Sequence, residues 1–199
     1  DKNRNYRFLV PVGHNLYNYT SDGKLVKGWK TDATSATLTQ VPFLFQKEGK
    51  DYVITSTEEQ ALILNRRGEV RIKTTALAAS PSQWNIIDGA IPSVIRVGSN
   101  GELQTQYWDG TTSSKLDPLD DVVGLSHQSY GLVVWNDEQI VIRNTAGSTE
   151  IEVGNVVTLD CYSGGTGIAF TQDMVQVVNL KTLETYGQFQ GSAAKAGRF

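Results

Sequence analysis

Residues 61–73 read ALILNRRGEVRIK. Four apolar residues lead into a polar turn around Gly68, and a second short run follows in which apolar and charged side chains alternate. This is a strand, a tight turn and a second strand. The same unit recurs as NLYNYTSDGKLVKGW (15–29), ELQTQYWDGTTSSKL (102–116), QIVIRNTAGSTEIEV (139–153) and MVQVVNLKTLETYGQF (174–189). The turn residues are Gly23, Gly68, Gly110, Gly147 and, in the fifth copy, Thr182, spaced 45, 42, 37 and 35 residues apart. A drifting period of about 40 residues made only of strands is the signature of propeller blades rather than helical solenoids.

Each unit extends upstream into a four-strand set, labelled a to d from inside to outside. The second copy supplies VPFLFQ, DYVITST, ALILN and VRIK, and the third QWNII, PSVIRV, ELQTQYW and SSKL. The fourth supplies VVGLSH, GLVVWN, QIVIRN and TEIEV, and the fifth VVTLDCY, GIAFTQ, MVQVVN and ETYGQF. Val, Ile, Thr and aromatics fill these runs, as half-buried pleated surfaces prefer, and Asn, Asp, Gly and Ser separate them. Strands a and b are the more apolar and are expected to be covered on both faces. Strand d carries alternating charge (Arg71 and Lys73, Glu150 and Glu152), as suits an exposed edge. TEEQALILNRRGE mimics a short helix, but its β-branched flanks and the repeat favour strands.

The expected fold is therefore all-β: one five-bladed β-propeller domain over residues 1–199, with four-stranded antiparallel blades at 1–35, 36–78, 79–117, 118–154 and 155–190. The first copy has b (YRFLVPV), c (NLYNYTS) and d (LVKGWK) but no strand a, and the tail 191–199, GSAAKAGRF, is left over. Closure of the ring by this tail, with Phe199 as anchor, removes unpaired strand edges. The competing reading makes the tail a linker.

The chain has 199 residues, enough to bury a sizeable core. Its net charge of −3 is spread without a basic stripe, so nucleic acid is not an expected partner. No apolar run approaches the ~20 residues of a membrane helix. Cys161 is the single cysteine, which excludes an internal disulfide and a disulfide-stapled scaffold. The chain begins at Asp1, without Met or signal peptide, and reads as a mature form or a piece of a larger protein.

The hairpins NLYNYTSDGKLVKGW and ALILNRRGEVRIK resemble the β-propeller repeats of bacterial envelope proteins, the broad group that includes pyrroloquinoline-quinone-like and integrin-like propellers. That resemblance implies an interaction platform in the periplasm, at the outer membrane or outside the cell. Trp29, Trp84, Trp108 and Trp135 fall on strands d, a, c and b, so the shared tryptophan register of the quinone-like family is missing and no cofactor is expected. Four separate packing roles suit these residues better than one sugar-stacking platform.

Candidate chemistry is sparse. Asp1, Asn3 and Asn5 in DKNRNY resemble the start of a calcium loop, and the resemblance to integrin-like blades would place this segment between strands a and b. No Gly and no bidentate Glu follow, so a polar turn is the simpler reading. Asp88 and Asp160 each stand 14 residues before the first residue of their strand c, Glu102 and Met174, where a glycosidase would hold an acid and a base. The second and fourth copies offer Lys47 and Leu125 instead, and turn aspartates explain both more simply. His14 and His127 have no second ligand at metal spacing. Cys161 reads as a small buried hydrophobe, and SGGTG (163–167) as a hairpin turn. The expected function is a monomeric, non-catalytic module that binds a protein or a cell-surface glycan; the alternative is a carbohydrate-active enzyme or lectin.

Overall fold

In the computed structural model, the described residues are 6–30, 34–117, 119–144, 146–162 and 164–190. They form eighteen strands and no helix, β1 (Arg7–Val12), β2 (Asn15–Thr20), β3 (Phe43–Lys47), β4 (Lys50–Ser56), β5 (Ala61–Leu64), β6 (Val70–Ile72), β7 (Asn85–Ile87), β8 (Ser93–Val97) and β9 (Leu103–Tyr107), continuing with β10 (Thr112–Lys115), β11 (Gly124–Gln128), β12 (Gly131–Trp135), β13 (Gln139–Asn144), β14 (Gly147–Glu152), β15 (Val156–Cys161), β16 (Thr166–Thr171), β17 (Met174–Asn179) and β18 (Glu184–Gln190). They pair as one two-stranded sheet, β1-β2, and four four-stranded sheets, β3–β6, β7–β10, β11–β14 and β15–β18, each in chain order. The strands fall within a residue or two of the runs read from the sequence. The chain divides into two compact units, Asp1–Ser99 with Gln104–Ser114, and Asn100–Leu103 with Lys115–Phe199.

The repeat is visible in the turns. In the first three copies the bonds are the same: Gly23, Gly68 and Gly110 each donate N–H to the carbonyl three residues back, of Thr20, Asn65 and Tyr107, at 3.0 Å. All three glycines have φ between 78° and 91°, which β-carbon-bearing residues adopt only under strain. In the fourth copy Asn144 stands directly opposite Gly147. In the fifth, the positive φ falls on Leu183 rather than on Thr182.

Within the first unit, β4 and β5 show what drives the sheets together. Val53, Leu62 and Leu64 point to one face and pack with Leu16, Leu9, Trp29 and Leu38. Tyr52, Ile54, Ala61 and Ile63 point to the other and pack with Val94, Trp84, Phe43, Phe45, Ile86 and Trp108. Adjacent residues alternate between two separate cores, as period-two pleating requires. A polar lattice ties the connecting segments to this frame. Gln40 donates from Nε2 to the Trp84 carbonyl at 3.0 Å and accepts the Trp84 N–H on Oε1 at 2.9 Å, completing a side-chain copy of a β-bridge. Arg96, fully buried, donates to Gln104 Oε1 and to the carbonyls of Ser80 and Ala78, with its guanidinium 4.5 Å from the Trp84 ring centroid.

In the second unit, Val133, Trp135, Ile140 and Ile142 of the β11–β14 sheet pack with Val156, Leu159, Ala169 and Val178 of the β15–β18 sheet. Asp117 accepts the Leu119 N–H and forms a bidentate ion pair with Arg143.

Two expectations need correction. Strand d of the first copy does not form. Val26 donates to the Asn18 carbonyl and Tyr19 pairs with Leu25 in one isolated bridge, and then Gly28, at φ 79°, turns the chain away. Trp29 Nε1 instead bonds the Leu16 carbonyl at 2.7 Å and its ring joins the core over β5. Burial also peaks on strands b and c rather than on a and b: β5 and β8 are buried at every position, whereas β3 alternates half-buried and exposed positions and β7 is half-buried. The middle strands have a neighbour on each edge as well as on each face; strand a has one free edge in its sheet. The strand d segments β14 and β18 are largely exposed, as expected. The tail 191–199 proposed to close the ring lies outside the described residues.

Two substitutions test this packing. A β-carbon on Gly124 would stand 2.2 Å from Trp135 Cζ2, so Gly124→Ala is expected to cost about 2 kcal/mol in urea denaturation. Gly89→Ala, with no atom nearer than 3.5 Å, should stay within about 0.5 kcal/mol of the parent. The Asp117 side chain is 1% exposed, and Asp117→Ala strands the Arg143 charge; the expected loss is about 3 kcal/mol by the same measurement.

Candidate functional site

The residues singled out from the sequence are divided between the two units and the segment outside the described residues. Asp88, just after β7 in the first unit, is held by Lys47 at the end of β3, with Nζ 2.6 Å from Oδ1. Lys47, which stands where a catalytic copy would need a carboxylate, is thus the partner of one. Asp160 belongs to the second unit, exposed on β15 and opposite Ile168. Asp1, Asn3 and Asn5 lie outside the described residues. Among the described residues, no group of three or more His, Cys, Asp or Glu is arranged to hold a metal ion.

Cys161 ends β15. Burial pushes its thiol up to about 11, Asp160 adds to the rise, and a hydrogen bond with Ser126 of β11 opposes it. Such a thiol is protonated at neutral pH and is a poor nucleophile. Burial likewise pushes the Tyr130 phenol up to about 12, with Cys161 as the second contribution. His127 sits half-buried on β11 opposite Leu132, and His14 is exposed in the β1–β2 turn. The tryptophans serve cores: Trp29 beside β5, Trp84 and Trp108 in the next core, and Trp135 in the second unit. The Trp108 ring centroid lies 4.1 Å from that of Tyr52, the planes tilted by 41°, and Trp108 meets Phe45 edge-on at 5.2 Å.

A different surface stands out in the first unit, where three clefts share lining residues. A polar cleft of about 620 Å³ is lined by Lys50, Asp51, Arg66, Arg67, Glu69 and Arg71, among others. A more apolar one of about 530 Å³ is lined by Arg7, Leu9, Asn18, Trp29, Phe45, Val53 and again Asp51 and Arg66. A third of about 260 Å³ involves Arg7, Val26, Lys27, Trp29, Arg66 and Arg67. Arg66 lines all three.

Local chemistry explains how the arginines are presented. Asn65 Oδ1 accepts the N–H groups of Arg67 and Glu69, which closes an Asx turn and aims residues 66 and 67 outward. The Arg67 carbonyl accepts the Lys30 N–H at 2.8 Å, and a β-carbon on Gly68 would strike the Lys30 carbonyl at 2.5 Å, so the turn is seated firmly on the segment that carries Trp29. In the first and third copies the residue before the turn glycine is Asp22 and Asp109; here it is Arg67. Both aspartates are held below the usual carboxylate range, chiefly by the hydroxyls of Thr20 and Thr111. Sequence reading missed this surface because its cations are dispersed over residues 7–71. The run NRRGEVR at 65–71 was the available signal.

No protein-family model and no curated protein matches the chain. Similarity to solved structures is extensive. A complex of BBS1N with ARL6DN matches with a TM-score of 0.65 at 13% identity, covering 93% of this chain and 64% of that one. Kluyveromyces lactis Hsv2 matches at 0.62 with 11% identity, covering 94% and 61%. The extracellular domain of the one-component system BT4673 from B. thetaiotaomicron matches at 0.58 with 11% identity, covering 94% and 27%. The chain thus spans less than two thirds of the length of each. Among the described residues, no helix is long and apolar enough to cross a membrane. At this level of identity the likeness shows the fold alone, and that fold is β-propeller-like.

Proposed function

We propose that the chain is a non-catalytic interaction module: a single propeller domain whose five sheets are five blades, binding a protein partner at its surface. The observation that carries this reading is the gathering of exposed Arg7, Lys27, Lys50, Arg66, Arg67 and Arg71 around adjoining clefts in a chain of net charge −3. Local charge opposed to the net charge steers and orients a complementary partner. The pairing of Asp88 with Lys47 supports the same reading, because general acid–base hydrolysis needs two carboxylates free to act on one bond. Likeness to a propeller solved in complex with another protein, and to an extracellular domain, is consistent with a binding role at the bacterial envelope or outside the cell.

A panel of chromogenic glycosides is the direct test against the enzymatic alternative. No turnover above background is expected. Turnover that disappears in Asp88→Asn or Asp160→Asn would overturn the reading and make the chain a glycosidase.

A further inference from the structure

We propose that the three clefts of the first unit form one docking surface for an acidic peptide segment that carries an apolar side chain among its carboxylates. This rests on the interaction-module reading and names the partner's chemistry.

Charge comes first. Six cations and two carboxylates, Asp51 and Glu69, line the three clefts. The two carboxylates are engaged locally, Asp51 by Gln46 Nε2 at 3.0 Å and Glu69 by Asn65 Nδ2 at 2.9 Å. Among the described residues, Arg7, Lys27, Lys50, Arg66 and Arg67 make no ion pair with a carboxylate. Arg71 lies over the Tyr52 ring, 4.7 Å from its centroid. Arginines exposed without an ion-pair partner, on a turn whose backbone is held by an Asx bond and a seated glycine, are available to bind carboxylates in bidentate fashion.

The middle cleft then selects the ligand class. Leu9, Trp29, Leu44, Phe45 and Val53 make it mainly apolar, and Leu44 is 73% exposed at its rim. A free anion would leave that surface uncovered, whereas a leucine or phenylalanine side chain would fill it. Asn18, 4% exposed, also lines this cleft. Asp51 and Glu69 also interrupt the positive surface, which disfavours the evenly spaced phosphates of a nucleic acid but accommodates a peptide of mixed side chains.

The test is fluorescence anisotropy with the whole chain and a fluorescein-labelled twelve-residue peptide in which Glu and Asp surround one Phe. Saturable binding at 50 mM NaCl is expected, weakening about tenfold or more at 200 mM. Arg66→Glu combined with Arg67→Glu should weaken it at least about tenfold with an unchanged melting temperature, since both side chains are exposed. Arg7→Gln with Lys50→Gln should weaken it as well, and serves if the first variant is poorly folded. Replacing the peptide Phe by Ala should weaken binding about tenfold. No saturable binding, or binding indifferent to the arginine reversals, overturns the proposal while the glycoside panel still judges the broader reading. Equal binding of the Ala peptide, or tighter binding of an oligothymidylate of the same length, also overturns it, in favour of a general polyanion surface.

Discussion

The two-sided burial of β4 and β5 is the constraint on which the first unit depends. A sheet apolar on one face needs one cover; a sheet apolar on both must be flanked. Val53, Leu62 and Leu64 draw the β1–β2 hairpin and Trp29 onto one side, and Tyr52, Ile54, Ala61 and Ile63 draw the β7–β10 sheet onto the other. The second unit repeats the pattern. Val133 and Ile140 face the β15–β18 sheet, while their neighbours Val134 and Val141 are buried on the opposite face of the same strands. Stacked sheets of this kind are the building principle of propeller-like folds.

This arrangement dictates where function can reside. With the centre of each four-stranded sheet committed to packing, chemically free side chains lie at hairpin tips, on strand a, on the exposed strand d, and on β1 and the segment after β2. The tips are rigid because each is bonded across its neck. They can vary in charge without disturbing the core, and Arg67 in the place of Asp22 and Asp109 is such a variation. The lone thiol went the other way. Cys161 is part of the β11–β15 contact, and burial keeps it protonated.

Strand positions were legible from the sequence because each strand c is a short apolar-rich run followed by a polar turn, with a glycine in four of the five copies. Even the helix-like TEEQALILNRRGE resolved into β5 and its turn, since the alternation of Ala61–Leu64 serves two faces at once. The missing strand d of the first copy was not legible. LVKGWK has the composition of a strand, and the outcome was decided by Gly28 and by the tertiary partner that Trp29 finds at the Leu16 carbonyl. The ion pair of Lys47 and Asp88 joins residues 41 positions apart, and the cation cluster joins residues 7 to 71. Both depend on how sheets stack, which periodicity along one strand does not encode.

Amide hydrogen–deuterium exchange resolved by strand tests the central role of two-sided burial most directly. Slowest exchange is expected in the middle strands β4, β5, β8, β12 and β13, with β6, β14 and β18 exchanging orders of magnitude faster. Equal protection across all four strands of each sheet, or greatest protection in the outer strands, would contradict it.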